Sequence, residues 1–194
     1  VSIASLIAKQ QDTMQFDDNK IYKSIDKLRN MTLQDPNVFY PQMKEILSQC
    51  GVALVSLPSL KNSNINGVVK WIDNGKVMMA LNTRGAYNDK FWYSFFHELK
   101  HVLQKAKRKM IVNQENKIED SVLESEADTF AKETLIPSKY INELKYFDEE
   151  SILDLASKLS IHPGIVVGRL QKEKRIAYSK YNYLKCKYEI SINR

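Results

Sequence analysis

"FWYSFFHELKHVLQ", residues 91–104, holds two of the chain's three histidines, with a glutamate directly after the first. Phe95, Leu99, Val102 and Ala106 recur at helical spacing, which predicts a helix anchored by an apolar face. His97 and His101 are four apart, so on that helix they share a face and can aim two imidazole nitrogens at one point. Glu98 sits beside the first imidazole, where its carboxylate can reach a water at that point without ligating itself. This is the HExxH arrangement: two metal ligands and a general base.

A tetrahedral catalytic zinc needs three protein ligands and one open position. A metzincin continuation would require glycine at 104 and histidine at 107; the chain has Gln104 and Lys107, which excludes that class. The gluzincin alternative takes a glutamate from a later helix, with an aspartate one turn on to orient a histidine. "ESEADTFAKETLIP" (124–137) supplies Glu124 and Asp128 on one face, with the small residues Ala127 and Ala131 letting two helices approach closely. Glu126 falls on another face and reads as solvent-facing or a cap.

Outward from these motifs, the chain reads as α+β: a small, mostly antiparallel sheet followed by a helical half. The stretch before Asn30 has apolar residues at helical spacing, and a helix is expected from about Tyr40 to Cys50, with Pro41 in its first turn and Gly51 as its stop. "VALVSL" (52–57) is a β-branched strand, and "GVVKWI" and "KVMMAL" flank "DNG" (73–75) as a hairpin. Helices are expected at about 88–107, 119–136, 138–146, 149–160 and 163–174. The expected division is an N-terminal helical segment at 1–35, the main domain at 36–176 and a docked tail at 177–194.

The chain has 194 residues, 43% of them hydrophobic and 27% charged, enough for one well-cored domain or one domain with an appended helical subdomain. Its net charge of +6 permits an acidic partner without demanding one, because the basic residues are scattered along solvated faces. Cys50 and Cys186 form no recognisable disulfide or metal pattern, which fits a reducing cytoplasm. The longest apolar run, Gly51–Leu57, is far too short to span a bilayer, so no membrane association is expected.

"FWYSFFHELKHVLQ" followed by "ESEADTFAKETLIP" resembles the ImmA/IrrE family of metallopeptidases, over roughly residues 50–174. "ILDLASKLSIHPGIVVGRLQ" (152–171) resembles members joined to an upstream helix-turn-helix in antitoxin-type regulators. The resemblance implies a minimal, thermolysin-like zincin fold and one Zn2+ per chain, with Mn2+ as the alternative metal. It implies His97, His101 and Glu124 as ligands and Glu98 as the base; the gluzincin analogy makes Asp128 the residue orienting His97. The implied substrate is a cytoplasmic repressor or antitoxin-type regulator, and DNA binding is assigned to an upstream domain outside this sequence. Lys100 departs from the glycine often found before the second histidine, and either alters access to the metal or points into solvent.

No transition-state stabiliser is fixed by these motifs; the candidates are His162, Tyr93, Arg84, Tyr87 and Arg169. An extended substrate is expected along an exposed strand edge, with the 76–81 strand as the first choice. The competing reading is a regulatory module that binds a partner or senses a signal without turnover. It draws on the helix-turn-helix-like spacing in 152–170, for which an ordinary hairpin packed on the core is the plainer explanation.

Overall fold

The computed structural model describes residues 2–57, 67–73, 75–82, 84–108 and 117–189. The helical stretch before Asn30 forms two helices, α1 (Ser2–Gln10) and α2 (Asp18–Asn30). Asp17 starts the second by accepting a hydrogen bond from the backbone N–H of Lys20 at 3.3 Å. Helix α3 (Pro36–Gln49) begins earlier than expected, and Pro41 lies inside it. The stronger start signal is Asp35–Pro36: the Asp35 carboxylate accepts from the Asn37 N–H at 2.8 Å, and Pro36 arrives with φ already helical. Gly51 ends the helix at φ +80°, as its position predicted; a Cβ there would also lie 2.3 Å from the Phe16 backbone.

Strands β1 (Val52–Leu57), β2 (Gly67–Asp73) and β3 (Lys76–Asn82) form one sheet in the order β1-β3-β2. The β2–β3 hairpin is antiparallel as expected, whereas β1 runs parallel to β3. This places β3 in the middle, with Val77 through Leu81 all buried. The expected substrate edge at 76–81 is therefore corrected: both sides of β3 are taken by β1 and β2, and no backbone group is left there for an added strand.

The sheet is covered on both faces. Ala4 and Ala8 of α1 lie on Ala53, Val55, Met78 and Ala80, the small side chains letting the helix sit close. The other face, through Val77, Met79 and Leu81, joins the main core with α2, α3 and the helical half. The first helices thus share the packing of the domain that follows.

The chain continues through β4 (Arg84–Tyr87), α4 (Asn88–Arg108), α5 (Lys117–Leu135), α6 (Ser138–Glu143), α7 (Glu149–Leu159) and α8 (Pro163–Lys172). The tail returns as β5 (Lys187–Glu189), antiparallel to β4, and buries Tyr188, whose hydroxyl accepts from the Trp92 indole at 3.0 Å. Helices α7 and α8 meet at Ser160, held in the left-handed region at φ 51°. Ile165, Val166, Val167 and Leu170 of α8 are buried in the main core, so the hairpin packs on the rest of the domain.

Helix α4 is the spine. Phe91, Trp92, Phe95, Phe96, Leu99, Val102 and Leu103 are all buried, each contributing on the order of 1.5–3 kcal/mol on removal from water. That wide apolar stripe fixes the helix in rotation, and the remaining face meets α5.

Candidate metal centre

Helix α5 crosses α4 at Ala127 and Ala131, both fully buried. The close approach they permit brings Glu124 and Asp128 against the histidine face of α4. His97 Nε2 and His101 Nε2 stand 3.0 Å apart. Glu124 reaches both, with Oε2 at 3.2 Å from His97 Nε2 and Oε1 at 3.3 Å from His101 Nε2. Three candidate ligand side chains thus converge on one point.

The second nitrogen of each ring decides what that point can hold. His97 Nδ1 lies 3.0 Å from Asp128 Oδ1, and the same oxygen accepts a hydrogen bond from the Tyr93 hydroxyl at 2.5 Å. Burial works to raise the pKa of Asp128, but the Tyr93 hydrogen bond and the neighbouring His97 and Lys132 outweigh it and hold the carboxyl below its ordinary value. Asp128 is thus an anionic acceptor. Burial, followed by the adjacent carboxylate, pushes the Tyr93 phenol well up, so Tyr93 stays a donor.

His101 Nδ1 lies 2.9 Å from Gln104 Oε1. The Gln104 amide donates to the Leu123 carbonyl at 2.9 Å and to Glu126 Oε2 at 3.2 Å, which turns its oxygen toward the imidazole. With acceptors at both Nδ1 atoms, a neutral ring would hold its proton there and leave Nε2 bare. Two imidazole lone pairs and a carboxylate then face one another, an arrangement that repels itself unless a cation lies among them.

The donor set fits a transition metal of zinc's size. Zinc–ligand bonds of about 2.0–2.2 Å give a tetrahedron with edges of roughly 3.3–3.6 Å; here the two Nε2 atoms stand 3.0 Å apart, and the two Glu124 oxygens reach one each, at 3.2 and 3.3 Å. The Glu124 side chain is 62% exposed, so the cluster opens toward solvent on that side. Glu98, next to His97 in sequence, is 9% exposed and faces the start of β2.

Among the other candidates, Tyr93 joins the cluster as the hydroxyl that holds Asp128. His162 lies elsewhere: it caps α8, accepting from the Gly164 N–H at 3.1 Å, and its Nδ1 lies 2.7 Å from the Asn88 amide at the first residue of α4. Asn88 precedes His97 by roughly 13 Å along the helix axis. Arg169 closes the C-terminus of α5, donating to the carbonyls of Lys132 and Ile136 at 3.2 and 3.3 Å while pairing with Glu173. Tyr87 lies under Lys187, whose ammonium is 5.3 Å from the ring. The side chain of Arg84 lies outside the described residues. Lys100 runs along the outside of the α4–α5 pair, 3.5 Å from Glu126 and 5.8 Å from the Phe130 ring.

Sequence reasoning passed over Gln104, noted only as the residue that rules out one class. The signal was available: Gln104 is one turn beyond His101, and a polar side chain next to Leu103 on a buried stripe needs partners.

A histidine pair on one helix, completed by a carboxylate from the next beside a small sheet, defines a metallopeptidase-type domain. The chain belongs to the IrrE N-terminal-like domain family, Peptidase_M78, whose sequence model matches residues 51–171, from the turn before β1 to the end of α8. No match to the chain was found among curated proteins or among solved structures. No helix among the described residues is long and apolar enough to cross a membrane.

Proposed function

We propose that this protein is a zinc-dependent endopeptidase of the gluzincin type, acting on a cytoplasmic regulatory protein such as a repressor or antitoxin-type regulator. The observation that carries the chemistry is the meeting of the His97 and His101 Nε2 atoms with the Glu124 carboxylate. A donor set of two imidazoles and one carboxylate favours zinc over the oxygen-seeking ions. When bound, zinc supplies Lewis acidity, activating water and polarising a peptide carbonyl at neutral pH.

The side chains around it divide the remaining work. His97 and His101 keep their Nε2 atoms free of protons because Asp128 and Gln104 hold the protons at Nδ1. Glu98 takes the proton from the attacking water at its carboxylate and passes it to the departing amine. The buried stripe of α4 fixes all three residues on one rigid element, so their spacing does not have to be assembled on binding.

With β3 enclosed, β1 and β2 are the edges of this sheet among the described residues, and β2, whose first residue lies against Glu98, is the one that would receive an extended peptide. Backbone pairing there would give affinity with little dependence on side chains. The reading of a partner-binding regulator loses weight because α8, the element that would enter a DNA groove, is packed on α4. Cys50 and Cys186 are both free thiols, which suits a reducing cytoplasm.

The test is cleavage of a co-expressed candidate regulator, followed by mass spectrometry of the fragments. Glu98→Gln should retain zinc while cutting slows by about 10²–10⁴-fold. Cleavage that continues at the parent rate in Glu98→Gln would end the peptidase assignment.

A further inference from the structure

Gly67, the first residue of β2, sits directly against Glu98. A Cβ built on Gly67 would lie 2.4 Å from Glu98 Cγ, 2.6 Å from Cδ and 2.7 Å from Oε1, closer than atoms can approach. The glycine is not there for its backbone, because its φ lies outside the left-handed region, where a side chain would be strained. A glycine in a strand weakens it and marks a place where another group comes close. Here that group is the carboxylate of Glu98, the residue after His97.

Neither backbone can retreat. Gly67 is paired with Leu81, and the next residues, Val68 and Val69, with Ala80 and Met79 of the enclosed central strand. On the other side Phe95, Leu99 and Val102 lock α4 into the core. The Glu98 side chain is the only part left to move.

We propose that Gly67 is a positioning residue for Glu98: the side chain it lacks is the slot that seats the carboxylate. The proposal deepens the peptidase reading, on which the role of Glu98 as base rests. Its consequence is that a single methyl group at position 67 expels the base while leaving His97, His101 and Glu124 untouched.

Four chains test it: the parent, Gly67→Ala, Glu98→Ala and the double variant. Thermal unfolding is measured on each without metal, and each is loaded with Co2+ and its visible spectrum recorded at one fixed pH. With Glu98 present, Gly67→Ala should lower the midpoint by about 2–4 °C. With Glu98 removed, the same change should raise it, because alanine is then the better strand residue in an empty slot. Gly67→Ala should bind cobalt at the parent stoichiometry but show the spectrum of Glu98→Ala, and the double variant should match both. If Gly67→Ala fails to fold, the double variant should restore folding.

An equal midpoint shift in both backgrounds, a parent-like cobalt spectrum in Gly67→Ala, or a double variant that does not fold would overturn the proposal. A parent that takes up no cobalt defeats the peptidase reading alone; the sign change in the midpoint still decides the place of Gly67.

Discussion

Helix α4 touches two histidine environments, one at its first residue and one at its middle. At the first, His162 is closed off by its neighbours: Nδ1 accepts from Gly164 and Asn88, and Nε2 lies 3.8 Å from Cys186 Sγ. Burial pushes the pKa of that imidazole down and that of the thiol up, so the pair is a neutral packing contact and not an activated nucleophile. At the middle, His97 and His101 have their protons drawn to the outside by Asp128 and Gln104, and their lone pairs turned on each other. The difference teaches what to look for: convergence of acceptors with no donor between them marks a site, whereas a histidine whose nitrogens are each answered locally is structure.

Breaking the middle environment should have the largest effect. Glu124→Ala removes a candidate ligand, and metal content by mass spectrometry should fall from about one zinc per chain to near none, a loss of more than ~100-fold in affinity. Retention of stoichiometric zinc by this variant would remove Glu124 from the ligand set. Gln104→Leu leaves all ligands in place but frees His101 to rotate and to lose its proton arrangement. A ~10–100-fold weaker zinc affinity is expected by competition with a chelator, with Gln104→Glu recovering part of it.

The first environment should respond in stability and not in metal. His162→Ala removes the cap of α8 and should cost on the order of 1 kcal/mol in urea unfolding, with zinc content unchanged. Because the folded-state pKa of His162 lies below its ordinary value, the unfolded chain binds the proton first. Its share of stability is complete above about pH 6.5 and declines as pH falls from there toward the folded pKa. The variant should lack that part of the acid dependence. Least of all should follow from Lys100→Ala. Its ion pair with Glu126 is half exposed, and a change below about 0.5 kcal/mol with unaltered zinc affinity is expected.

The centre of the site was legible because helical spacing is rigid: once α4 and α5 are helices, His97 and His101 must share a face, as must Glu124 and Asp128. The close crossing was legible too, in Ala127 and Ala131. Strand order was not. A hairpin announces its own pairing through its turn, but nothing local tells β1 which strand it joins, and its parallel pairing with β3 enclosed that strand and left β1 and β2 as the edges. The unbroken apolar run from Val77 to Leu81 did carry a hint, since a strand buried on both faces is seldom an edge. Gln104 and Gly67 were missed for a related reason. Each matters through one contact with a residue from another part of the chain, and a single sequence does not display such a contact.

The candidate ligands come from two helices, His97 and His101 from α4 and Glu124 from α5. An occupied centre is therefore a reversible cross-link between them, formed without a covalent bond. Above the dissociation constant, each tenfold rise in free metal adds about 1.4 kcal/mol to the stability of the folded form that binds it. The protein's resistance to unfolding, and with it its lifetime among other proteases, becomes a gauge of how much metal its surroundings can spare.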